Sequence, residues 1–124
     1  VELAAGDSTD NDIVMLAPIP SNAAVPSLFI GSDTLGGSCT FNVGIYTSAG
    51  VVKDEDVFAT LVADAAGMAD VRFEAANIDT AGKKMWELAG DSSDPGGYYY
   101  VAATMAADGQ TAGTMSWNIS YVVN

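Results

Sequence analysis

The closing stretch TMSWNISYVV sets the tightest limit on the fold. Met115, Trp117, Ile119, Tyr121 and Val123 alternate with Thr114, Ser116, Asn118, Ser120 and Val122, so one face is apolar and the other mostly polar. A period of two belongs to a strand; on a helix the same apolar set would scatter around the axis. A strand must find neighbours, and the rest of the chain supplies them.

TFNVGIYT sets Phe41, Val43 and Ile45 against Asn42, Gly44 and Tyr46, the first set facing the core. YYYVAATM follows the turn DSSDPGG, where Pro95 presets φ and glycine accepts positive φ. Three successive tyrosines in a strand cannot share a face: Tyr99 lies on one side, Tyr98 and Tyr100 on the other. IVMLAPIP reads as a short strand that Pro18 and Pro20 confine to a sheet edge or end. VPSLFIGS is a further strand ending in the turn cluster GSDTLGGS, and ADVRFEA another, with Val71 and Phe73 on one face.

Two segments change period. In VVKDEDVFATLVADAAG, Phe58, Leu61, Val62 and Ala65 fall at helical spacing, Asp54 can cap, Glu55 and Asp56 suit the first turn, and Gly67 suits the stop. The spacing predicts a helix; the rival is a strand using Phe58, Thr60 and Val62. TAGKKMWELAG predicts a second, short helix that buries Met85, Trp86 and Ala89 and ends at Gly90. Trp86 and Trp117 are assigned to core packing.

Short strands, Gly-rich turns and two brief helical insertions imply a mainly β fold, an antiparallel, jelly-roll-like β-sandwich. At 124 residues the chain fits one domain over residues 1–124, with residues 1–12 as an extended N-terminal arm. No internal repeat or linker divides it.

Charge narrows the function. Sixteen acidic residues against four basic ones leave a net charge of −12, which opposes both polyphosphate binding and docking on anionic lipid. No nucleic-acid or membrane partner is expected, and the apolar runs fall far short of the ~20 residues of a membrane span. The opening residues lack the pattern of a signal peptide. The lone Cys39, in GGSCTFNVGIY, reads as a small buried residue beside a strand start rather than a reactive thiol.

Catalytic equipment is sparse. Without histidine, Ser-His-Asp and Cys-His arrangements and the usual zinc sites are excluded. No phosphate-binding glycine motif occurs, and no enzyme activity or cofactor is expected. Asp7, Asp10 and Asp12 in DSTDND, and Asp54, Glu55 and Asp56 in KDEDV, are oxygen-rich enough for a hard cation, but neither run matches the EF-hand pattern, and a solvated turn and a charged helix start account for them. The sequon Asn118-Ile119-Ser120 falls mid-strand and is read as coincidence. What remains is recognition of another protein or of itself. The outward Tyr98 and Tyr100, and Asp7, Asp10 and Asp12 of the N-terminal segment, are the candidate contact residues.

The segments SNAAVPSLFIGSD, FNVGIYTSAGVVKDEDVFA, KKMWELAGDSSDPGGYYYVAATM and AGTMSWNISYVVN, in that order, resemble small proteins encoded beside the major capsid protein in tailed bacteriophages, many of them marine. The resemblance implies a capsid decoration, or cement, protein that binds the major capsid protein on the outer surface of the virion and self-associates, often as a trimer at threefold positions. A head-fibre or tail component is the nearest alternative, and a carbohydrate-binding sandwich a more distant one.

Overall fold

A computed structural model describes residues 1–36, 38–64, 68–73 and 78–123. Its strands are β1 (Glu2–Leu3), β2 (Ile13–Pro20), β3 (Ala23–Ser32), β4 (Thr40–Thr47), β5 (Val52–Ala63), β6 (Ala69–Asp70), β7 (Tyr98–Met105) and β8 (Gly113–Val123). One short helix, α1 (Met85–Leu88), and a 3-10 turn at Ile78–Thr80 lie between β6 and β7. They form two antiparallel four-stranded sheets, ordered β1-β8-β3-β6 and β2-β7-β4-β5. The pairing is nested: β1 with β8, β2 with β7, β3 with β6 and β4 with β5. The chain therefore resembles one long folded-back ribbon rolled into a sandwich.

The alternation seen in the sequence sorts the side chains. Phe41, Val43 and Ile45 of β4, Val101 and Met105 of β7, and Leu28 and Ile30 of β3 are buried between the sheets. β2 lies at a sheet edge, where the missing N–H groups of Pro18 and Pro20 break no inner ladder. Trp86 and Trp117 are half-buried and pack against the core rather than within it.

The helix expected from Asp54 onward is instead β5, the rival strand; of its expected inward residues Phe58 and Val62 are buried, whereas Thr60 is exposed and Ala59 takes its place. Its helical spacing comes from bulges. β4 advances two residues from Phe41 to Val43 while β5 advances three from Val62 to Ala59, and the next two on β4, to Ile45, face five on β5, back to Asp54. Inserted residues shift the inward phase, so Phe58 and Ala59 both turn inward while Leu61, at φ 51°, is 58% exposed. Ala65 and Gly67 of the expected helix, Glu74 and Ala75 of the expected ADVRFEA strand, and Gly37 of the GSDTLGGS turn lie outside the described residues. Within ADVRFEA only Ala69–Asp70 pairs as strand, with β3.

The second expected helix forms at α1. The Glu87 carboxylate accepts the Lys84 N–H at 2.8 Å, Gly90 ends the turn at φ 80°, and the Trp86 N–H donates to the Ser21 carbonyl at 3.1 Å, tying α1 to the β2–β3 turn. Residues 1–12 are not an extended arm: they fold back on the body. The Val1 amine donates to the Met115 carbonyl at 2.6 Å, β1 pairs with β8, the Gly109 N–H donates to the Ser8 carbonyl, and the Asn11 N–H to that of Met105.

Candidate protein-interaction face

The three tyrosines divide as a strand requires. Tyr99 points inward and is 4% exposed, and its hydroxyl donates to the Asp91 carboxylate, which also accepts from Lys53 Nζ at 2.7 Å. Burial, helped by the Asp91 carboxylate, pushes the Tyr99 phenol well above its ordinary pKa. Tyr98 and Tyr100 stand on the outer surface of the β2-β7-β4-β5 sheet, their rings 5.6 Å apart and edge to face at 84°.

Strand register identifies what shares that surface, because residues directly opposite point the same way. Tyr100 lies between Pro18 of β2 and Tyr46 of β4; Met15 is opposite Ala102, and Ile13 opposite Thr104. Tyr46, whose hydroxyl is hydrogen-bonded to that of Thr104, is buried, as is Ala102. Ile13, Met15 and Tyr98 remain exposed. The outer face of β2 and β7 is thus an apolar, aromatic surface on strands that carry no charged side chain, and the Asp54–Glu55 part of β5 crosses the outer face of the neighbouring β4, over Gly44, and borders it. Tyr98 and Tyr100 were legible as outward residues; Ile13 and Met15 were not, because a register shift between Met15 and Ala17 interrupts the alternation of β2.

The acidic candidates are placed elsewhere on the same side. Asp7 and Asp12 border an open hollow of about 550 Å³ together with Val1, Leu3, Ile13 and Met15. Their carboxylates serve the local turns: Asp7 accepts the Ala4 N–H at 2.8 Å and Asp12 the Thr9 N–H at 2.9 Å, while the Asp10 N–H donates to Asp108 at 2.7 Å. Among the described residues no three acidic or thiol groups converge as a metal site would require. Cys39 is buried, and burial together with Asp64 and Asp108 pushes its thiol pKa up, which keeps it protonated and unreactive.

One charged residue gave no sign of its position in the sequence. Arg72 is wholly buried, its guanidinium 4.9 Å from the Phe58 ring centroid and 4.5 Å from that of Phe73. Nε donates to the Val25 carbonyl at 2.6 Å and Nη2 to that of Thr80 at 3.2 Å. It clamps the β6 end of the sandwich and lies apart from the tyrosine face.

Compared with protein-family models, curated proteins and solved structures, the chain matches none.

Proposed function

We propose that the chain is a virion structural protein, a decoration protein that lies on the outer surface of a phage head, binds the major capsid protein and strengthens contacts between its subunits. The observation that carries the reading is the uncharged face of Tyr98, Tyr100, Ile13 and Met15 on a molecule whose net charge is −12. Such a face favours association with a protein surface, since aromatic side chains bury large area at low entropic cost and charge is depleted at interface centres. The nested eight-strand pairing is read as jelly-roll winding, a form used by shell proteins, and the sequence resemblance supplies the capsid as partner. Decoration stabilises by mass action: a module that binds only the assembled lattice adds its binding free energy at every site.

Co-sedimentation with heads that lack the protein tests this. Saturable binding that raises the heat resistance of the heads, and that a Tyr98→Ala, Tyr100→Ala double variant loses, is the expected result. Failure of the native protein to bind intact heads overturns the capsid assignment and leaves a tail or fibre location. A carbohydrate-binding role has one observation in its favour, a cleft of about 310 Å³ lined by Thr47, Ser48, Lys53, Asp91 and Tyr98. Both Asp91 oxygens there are already engaged by Lys53 and Tyr99, which favours a structural latch over a sugar site.

A further inference from the structure

The four edges of the two sheets are not alike. β2 carries Pro18 and Pro20, and β5 carries Lys53, Asp54, Glu55 and Asp56 on a bulged backbone. The outer side of β3 is covered by the short β6 and by the Asp70 carboxylate, which accepts the Leu28 N–H at 3.1 Å, and the strand itself carries Pro26 within a bulge against β8 between Ala24 and Ser27. Charge, proline, bulges and short covering strands are the devices that keep sheet edges from pairing with other chains. β8 has none of them beyond its start: β1 covers Gly113 and Thr114, Val1 pairs with Met115, and residues 116–123 have no strand on that side among the described residues.

The orientation of the free backbone groups follows from the covered part. Met115 directs its N–H and C=O outward, to Val1 at 2.9 and 2.6 Å, whereas the Thr114 carbonyl turns inward to the Asp33 N–H at 2.9 Å. The shift in the β3–β8 ladder adds its extra residue to β3, three residues there facing two on β8, so β8 keeps its alternation. Trp117, Ile119, Tyr121 and Val123 therefore present at the edge donors and acceptors that have no partner among the described residues. Tyr121 and Val123, which share a face with the half-buried Trp117 and Ile119, are themselves about half exposed.

We infer that residues 116–123 are a self-pairing edge, and that two copies join their β8 strands antiparallel about a twofold axis at Ser120. The occupant is a second copy because residues 113–123 carry no charge, so this is an edge along which two chains of net charge −12 can meet without opposing carboxylates. Antiparallel self-pairing is also the geometry that gives a closed, isologous dimer. Outward groups must face outward groups, which allows an axis at an odd or an even residue but not between two. The axis at Ser120 engages all four outward residues, setting Trp117 opposite Val123 and Ile119 opposite Tyr121 of the second copy. It begins beyond Met115, so β1 stays in place, and it joins the two β8-containing sheets into one.

This inference stands apart from the capsid reading, since it concerns the purified chain. Sedimentation over a concentration series is expected to show a reversible dimer. Ser120→Lys places like charges opposite each other at the axis and is expected to raise the dissociation constant by about fivefold or more, with thermal unfolding of the dilute protein unchanged. Ser120→Cys is expected to link the dimer on mild oxidation, because facing residues in a pair of this kind have Cα atoms about 4.5 Å apart, within disulfide reach. Asn118→Cys, facing Val122 of the second copy, is expected not to link, and the buried Cys39 does not compete. A monomer at every concentration, a trimer, a dimer indifferent to Ser120→Lys, or linkage through Asn118→Cys as readily as through Ser120→Cys would each overturn the proposal.

Discussion

Gly44 of β4 lies directly beneath the carbonyl of Asp54 in β5, so close that a β-carbon on the glycine would overlap the oxygen. The bulged part of β5 crosses the outer face of β4 at this point, and the crossing exists only because the residue beneath it has no side chain. Gly44→Ala is therefore expected to cost about 3 kcal/mol, since the obstructing atoms are backbone and cannot swing aside. Gly82→Ala meets nothing within 4 Å and is expected to stay within about 0.5 kcal/mol of the native protein. Chemical denaturation of both variants checks the pair.

The same crossing explains what the sequence concealed. In β7 and β8 the side-chain period survives, and Tyr99, Met115 and the opposed Tyr98 and Tyr100 lie where simple alternation puts them. In β5 the extra residues imitate the i, i+4 spacing of a helix at Phe58 and Val62, and local pattern cannot tell a bulged strand from an amphipathic turn. The nested order of strands was illegible for another reason: partners such as Glu2 and Thr114 are far apart in the chain, and nothing local in either names the other. Tyr98 and Tyr100 could be read as an outward pair, but the face they build with Ile13 and Met15 exists only once β2 is laid against β7.

Arg72 shows how burial of a cation is tolerated. Desolvation lowers its pKa, and nearby Asp70 acts in the opposite direction, while two rings and two carbonyls hold the planar group. Lysine has neither the plane for both rings nor the fork for both carbonyls. Stability is expected to fall in the order Arg, Lys, Ala at this position, with Arg72→Ala costing about 3 kcal/mol or more. Urea midpoints of the two variants test the order; equal values for Lys and Arg would show that charge alone suffices.

Acid should loosen the latch around Asp91. Lys53 foremost, and then Tyr99, hold the Asp91 carboxyl below its ordinary pKa, and Ser21 and the Gly96 N–H do the same for Asp94. A folded-state pKa below the unfolded value of about 4 gives stability that is present above that value and lost as pH falls through the folded one. Asp54 runs the other way: burial foremost raises its pKa, the Asp56 N–H opposes, and Asp56 and Glu55 add to the rise. Its contribution is lost as pH rises through the raised value. Asp91→Asn is thus expected to lower the urea midpoint at neutral pH and to flatten its decline below about pH 4, while Asp54→Asn raises the midpoint at neutral pH. Matching shifts of the same sign in both variants would contradict the assignment.

Adjacent tyrosines should respond to truncation to very different extents. Tyr99 is 4% exposed and bonded to Asp91, so Tyr99→Ala is expected to cost about 3 to 5 kcal/mol. Tyr98 is 45% exposed and touches Tyr100 edge to face, so Tyr98→Ala should cost about 1 kcal/mol, the worth of one such aromatic pair. A ring that contributes so little to its own fold yet exposes that much apolar surface is available for a partner. Denaturation midpoints for the two variants decide whether it is. A Tyr98→Ala cost equal to that of Tyr99→Ala would make the outer tyrosines part of the scaffold and remove the main physical support for a docking face on the β2-β7-β4-β5 sheet.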